Sequence, residues 1–183
     1  MASALHFIAV ICLTSGLCIG ANASSETESD HCYKTCPDGW TVFGQQCYMF
    51  HNSEQQWADA ERLCTSLGGN LASLQTADEY KFIRKMIHKV TGVDKDAWVG
   101  GYDAAKEGVW LWSDGSKYDF KGWAAGEPNN AGGRENCMEI NFYCWPFPSL
   151  LDVYFSYSLF FKRDYVNDAN CDINKPFVCG VHL

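Results

Sequence analysis

Between Ser53 and Gly69 the apolar residues Trp57, Ala60, Cys64 and Leu67 recur at steps of three and four, which places them on one face of a helix. Ser53 can cap that helix with Gln56 three residues on, and Gly68 and Gly69 stop it. A second helix follows the same rules, with Thr76 and Glu79 as a capping box and Phe82, Ile83, Met86, Ile87 and Val90 as the apolar side. Gly92 ends it. Elsewhere the period falls toward two. In "CPDGWTVFGQQCYMF" a Pro-Asp-Gly turn signal precedes aromatic and β-branched residues on either side of Gly44, which predicts a hairpin with Cys36 and Cys47 near enough to staple its ends. "AWVGGYD", "GVWLWSDGS", "MEINF" and "PFVCG" predict short strands, so the chain is α+β. From Gly115 to Arg134 neither period is present, and a loop of that length in a small domain is usually functional.

The flanks change the picture in three places. Residues 1–23 are uncharged, apolar and end in an Ala-x-Ala pattern at Ala21 to Ala23, which reads as a secretory signal peptide and an extracellular location. Residues 24–35 are a polar, acidic tail, leaving 36–183 as the domain. Within it, 143–162 is rich in aromatic residues. Pro146, Pro148 and Asp152 interrupt that segment, so it reads as an apolar insert and no membrane span is expected.

The formal net charge of −8 lies wholly after the leader. Basic residues look scattered along the sequence, without a patch or stripe, which argues against nucleic acid as a partner. Of ten cysteines, Cys12 and Cys18 fall in the leader. The even number that remains points to disulfides, with the pairing left open. No zinc-type spacing is present. The four histidines after the leader, His31, His51, His88 and His182, are dispersed and there is no Gly-x-Ser-x-Gly, so an enzyme is not expected. Trp57, Trp98, Trp110 and Trp112 read as core.

The concentrated chemistry is "EPNNAGGRENC", Glu127 to Cys137. Together with Asn167 and Asp168 it offers three carboxylates and four carboxamides, the hard oxygen donors that calcium takes in irregular loops. Gly132 and Gly133 let the backbone bend so that Glu135 can return toward Glu127.

In "CPDGW", "WADAERLC", "WVGG", "WSDGS", "EPN" and "VND" with its two following cysteines, the chain from Cys36 to Cys179 resembles the C-type lectin-like domain family in its long form. It is most similar in character to small secreted fish lectins and type II antifreeze-like proteins. The resemblance implies two helices packed on small antiparallel sheets beside a long calcium-binding loop region. It implies the disulfides Cys36–Cys47, Cys64–Cys179 and Cys137–Cys171, leaving Cys32 and Cys144 as a covalent route to oligomers. Calcium would be held by Glu127, Asn129, Glu135, Asn167 and Asp168, with a cis Glu127–Pro128 bond turning the flanking side-chain oxygens to the ion. Glu127, Asn129, Glu135 and Asn167 would also bind sugar. In the family Glu-Pro-Asn goes with mannose-type sugars, whose 3- and 4-hydroxyls are both equatorial, and Gln-Pro-Asp with galactose. A second, weaker calcium site would use Asp103, Glu107, Asn130, Glu135 and Asn136, where two amides stand for acids. The expected role is glycan recognition in innate defence; the rival on the same fold is ice binding or protein recognition. Two departures stand out. Val166 replaces the family's usual Trp, and removing 143–162 would restore "CMEINFRDYVNDANC" with ordinary spacing. Asn167 and Asp168 can reach the ion only if that insert loops out at one edge.

Overall fold

The computed structural model describes residues 35–142 and 165–183. Residues 1–34 and 143–164, which take in the expected leader, most of the expected acidic tail, the expected insert, Cys32 and Cys144, lie outside the described residues. In chain order the elements are β1 (Thr41–Phe43), β2 (Gln46–Gln55), α1 (Trp57–Ser66), β3 (Asn70–Leu71), α2 (Ala77–Thr91), β4 (Ala97–Tyr102), β5 (Leu111–Trp112), β6 (Glu135–Phe142), β7 (Tyr165–Asn170) and β8 (Lys175–His182).

The expected hairpin is β1 and β2, which pair antiparallel about Gly44 and Gln45. β2 then runs on through Ser53, so that residue is not the helix cap. Gln56 occupies the cap position of α1 in extended conformation and makes no side-chain cap bond. Tertiary partners replace it: the Trp57 backbone N–H donates to the Cys171 carbonyl at 3.0 Å, and the Trp57 indole to Val99 O at 2.8 Å. Ala60 and Cys64 are fully buried, whereas Leu67, past the helix end, stays largely exposed. α2 matches its expectation closely. Thr76 and Glu79 form a reciprocal capping box, Gly92 closes the helix in the left-handed region, and Ile83 and Ile87 are buried, although Val90 points to solvent.

The strands form one connected sheet in the order β1-β2-β8-β4-β6-β7, with β3 on β8 and β5 on β4. Its antiparallel ladders are joined by a single parallel pair, Trp98 with Phe177. Successive residues there divide between two cores. Trp98, Phe177 and Cys179 pack with α1 residues Ala60 and Cys64, while Val99 and Val178 pack with Ile83 and Ile87 of α2. A side chain at Gly100 would meet Leu71 O at 2.5 Å, which is why this strand needs glycine there. Three disulfides, Cys36–Cys47, Cys64–Cys179 and Cys137–Cys171, are the pairs the resemblance implied.

β7 is a strand that alternation in "YVNDAN" did not announce, because four of its six residues are polar or small. Phe142 and Tyr165 are register partners, so the chain leaves the β6–β7 hairpin and returns to it at facing positions. The register slips between Ile140 and Phe142 and again between Glu135 and Cys137, and between those two points Met138 lies opposite Asp168 and Glu139 opposite Asn167. Val166, in place of tryptophan, is fully buried and bridges to Trp123, and its carbonyl accepts from Ala124 N at 2.9 Å. Trp98, Trp110 and Trp112 are buried as expected. Among the described residues no helix is long and apolar enough to cross a membrane. One expectation needs correcting: the basic residues are not all scattered, since Lys81, Arg84, Lys85, His88 and Lys89 share one face of α2.

Candidate metal and ligand site

The irregular stretch before β6 is held onto β7 by one side chain. Asp168, 1% exposed, accepts the backbone N–H of Asn129 at 3.1 Å through Oδ1 and that of Asn130 at 2.7 Å through Oδ2. Because Asp168 sits in the middle of a paired strand, this clamp fixes the "EPNN" loop against the sheet rather than leaving it to solvent. The Glu127–Pro128 bond is cis. Gly132 and Gly133 both have φ of 70°, a conformation that side-chain-bearing residues rarely adopt, and they carry the chain round to Glu135. The bend is closed from both sides: Glu135 Oε2 accepts from Ala131 N at 2.8 Å, and Glu135 N donates to Asn130 Oδ1 at 3.0 Å.

Asn130 is the residue whose role sequence reasoning understated. It adopts the left-handed conformation, gives its backbone N–H to Asp168 and its side-chain N–H to Glu107, and accepts from Glu135. It therefore links the two groups of residues assigned to separate sites. The second group also converges. Asp103, 1% exposed, accepts from Asn136 Nδ2 at 2.9 Å and from Gly108 N at 2.8 Å.

Asn167 behaves differently from its neighbour. Its amide nitrogen donates to Glu139 Oε1 at 2.9 Å, and Glu139 Oε2 lies 2.7 Å from Lys175 Nζ. Lys175 also pairs with Asp96 at 2.6 Å and stands over the Trp98 ring. Glu139 and Lys175 were absent from the expected site, and the signal that could have found them is a charged residue at a core-facing strand position in each of "MEINF" and "KPFVCG". Burial holds Glu139 above its ordinary pKa while Lys175 and Asn167 draw it back, and the 2.7 Å approach of Lys175 Nζ makes the two an ion pair.

The electrostatics of the loop are those of carboxylates without cations. Burial, then the Asp168 carboxylate, then Glu135 push Glu127 up to about 7, against a smaller opposing bond from the Asn129 backbone. Glu127 Oε2 is buried, and among the described residues no donor reaches it. Glu107 is likewise raised, by desolvation and by Asp103 and Asp168. Among the described residues no Lys or Arg pairs with Asp103, Glu107, Glu127, Glu135 or Asp168. Nor do three acid, His or Cys side chains gather closely enough to hold a metal by themselves. A hard divalent cation taking part of its shell from the interleaved carboxamides would meet both facts, and the orphaned Glu127 oxygen fits such an ion.

Comparison with known proteins adds an independent line. The model of the lectin C-type domain family matches residues 53–181. The galactose-specific lectin nattectin of Thalassophryne nattereri is 39% identical over 183 residues, covering all of both chains. Among solved structures, herring type II antifreeze protein superposes with a TM-score of 0.65 at 25% identity, covering 81% of this chain and 99% of its own. The cow CD23 carbohydrate-recognition domain, solved in the presence of a GlcNAc2Man3 oligosaccharide, gives 0.64 at 28% identity, covering 81% and 97%.

Proposed function

The chain belongs to the C-type lectin domain family, and from that premise we propose that it is a secreted, calcium-dependent lectin preferring mannose-type sugars, which binds without turnover. The observation that carries the reading is the Asp168 clamp, which holds the Glu-Pro-Asn loop beside a buried carboxylate, with Glu127 Oε2 given no donor by the described residues. Glu127, Glu135 and Asp168 would supply carboxylates to the ion. Asn129 and Asn167 would supply carboxamide oxygens, the Glu139 bond engaging the Asn167 nitrogen and leaving its Oδ1 for the ion. Asp103, Glu107, Asn130, Glu135 and Asn136 are the donors for a second, weaker calcium ion.

When bound, calcium supplies coordination positions for two vicinal sugar hydroxyls in place of water. The chain supplies direction. A carboxylate such as Glu127 accepts from a hydroxyl and a carboxamide such as Asn129 donates to one, so the pair reads two neighbouring hydroxyls of fixed geometry. Loss of charge on these acids at low pH would release the ligand. The Glu-Pro-Asn order supports equatorial 3- and 4-hydroxyls, as does the mannose-containing oligosaccharide named with the cow CD23 domain. The name of nattectin points to galactose instead. Innate recognition of foreign glycans suits such a protein, with oligomers through Cys32 or Cys144 raising avidity.

Passing the protein over mannose and galactose resins in calcium, then eluting with chelator, tests the proposal. Retention on mannose with release by chelator is expected. Preferential retention on galactose would overturn the sugar assignment. Failure to bind either, together with thermal hysteresis in ice growth, would replace the lectin reading with the ice-binding role named for the herring protein.

A further inference from the structure

We propose that the solvent face of α2 is a separate, calcium-independent binding site for sulfated polysaccharide chains. Lys81, Arg84, Lys85, His88 and Lys89 fall at successive steps of three, one, three and one, so they form a single row along the helix. At 1.5 Å per residue the row is about 12 Å long. Four of the fourteen Lys and Arg residues of the chain are in it, although the whole molecule carries a formal charge of −8. With Asp94 they line a shallow hollow of about 290 Å3.

The internal pairing leaves the row cationic. Asp94 binds Arg84 at 3.0 Å and His88 at 3.1 Å, and Arg84 Nε donates to Asn141 Oδ1 at 2.9 Å, which fixes the wall of the hollow. The Lys81–Asp78 pair is exposed on both sides and therefore weak. Lys85 and Lys89 have no acidic partner among the described residues. Complementing the helix dipole would account for His88 and Lys89 in the last turn, but not for Lys81, Arg84 and Lys85 further back.

The chemistry of the partner follows from what this face lacks. Ile83 and Ile87, at the centre of the apolar side of α2, are fully buried and Phe82 and Met86 pack against the same core, so the helix cannot lay that side into a bilayer. Among the described residues no Phe, Tyr or Trp lines the hollow and its one ring, the His88 imidazole, is tied to Asp94, so there is no broad platform for stacking bases. The exposed ammonium groups of Lys81, Lys85 and Lys89, one helical turn apart, fit a linear chain with closely spaced strong acids. The choice of sulfated sugar over nucleic acid rests on the proposed secretion.

The full chain should be retained on immobilised heparin at neutral pH and low salt in the presence of chelator, although its net charge opposes this. Lys81→Gln/Lys85→Gln/Lys89→Gln should bind soluble heparin roughly tenfold or more weakly, while Arg62→Gln/Lys117→Gln/Lys121→Gln, which removes as much charge elsewhere, should bind as the parent does. All six side chains are on the surface, and matching thermal unfolding of the variants would show that folding is preserved. Passage through heparin unretained, equal losses in both variants, or equal binding to fully desulfated heparin would overturn the proposal. Tighter binding to a duplex oligonucleotide than to heparin of similar length would also overturn it. Since every arm contains chelator, its outcome is independent of whether the calcium site binds mannose.

Discussion

Asn167 donates its side-chain N–H to Glu139 Oε1 at 2.9 Å, directly across the β6–β7 ladder. A residue expected at the ligand site is thereby tied to a buried ion pair, since the other Glu139 oxygen faces Lys175. Glu139→Gln should leave Lys175 with only the partly exposed Asp96 and cost about 3 kcal/mol in urea unfolding. Replacing both charges, as Glu139→Leu/Lys175→Met, should recover most of that stability. It should not recover sugar affinity, because Asn167 still lacks its partner. Recovery of both would show that the pair serves stability alone.

Asp168 accepts two backbone N–H groups from the loop as well as carrying charge. Asp168→Asn removes the charge-assisted character of both bonds and should weaken calcium binding by about ten- to a hundredfold in titration calorimetry. Unchanged calcium affinity would dissociate this residue from the ion.

Glu127→Gln with Asn129→Asp exchanges the amide and the acid at the two ends of Pro128. Competition elution from resin should then shift from mannose toward galactose. An unaltered order of eluting sugars would show that this loop does not set specificity.

His51 stacks on Phe177 at 4.8 Å, and its buried Nε2 has no hydrogen-bond partner among the described residues. Burial holds its pKa below 6.5, so the folded state disfavours the charged ring. The stabilising contribution is therefore present above about pH 6.5 and is lost as pH falls through the lower folded value. Comparing denaturation midpoints of the chelated protein from pH 7.5 to 5, His51→Phe should lose less stability than the parent. Parallel profiles would exclude His51 as the source.

Thr76 and Ser53 look alike as sequence caps, and only Thr76 is one. Thr76→Ala should cost about 1 kcal/mol, whereas Ser53→Ala on the exposed part of β2 should be close to neutral by the same measurement.

The contrast between those two residues marks how far sequence reasoning reaches. Local rules placed α2, its capping box, its stop at Gly92 and the turn between β1 and β2, because each depends on groups a few residues apart. The same rules failed at Ser53, where pairing with β8 extended the strand and the Cys171 carbonyl took over the cap's work. The stock of oxygen donors around Glu127 was legible as composition. That Asp168 would clamp the loop and that Asn130 would join both groups was not, because those bonds span the chain from Glu107 to Asp168.

By itself, the sequence determined which donors this protein has and which short elements they sit on, since hydrophobic period, capping and turn chemistry are local. Tertiary structure decided what they face. Pairing of β6 with β7 puts Asp168 opposite Met138, and the helical winding of α2 brings the five basic residues between positions 81 and 89 onto one face. Both are consequences of register and helical phase, which act on positions only after the backbone has folded.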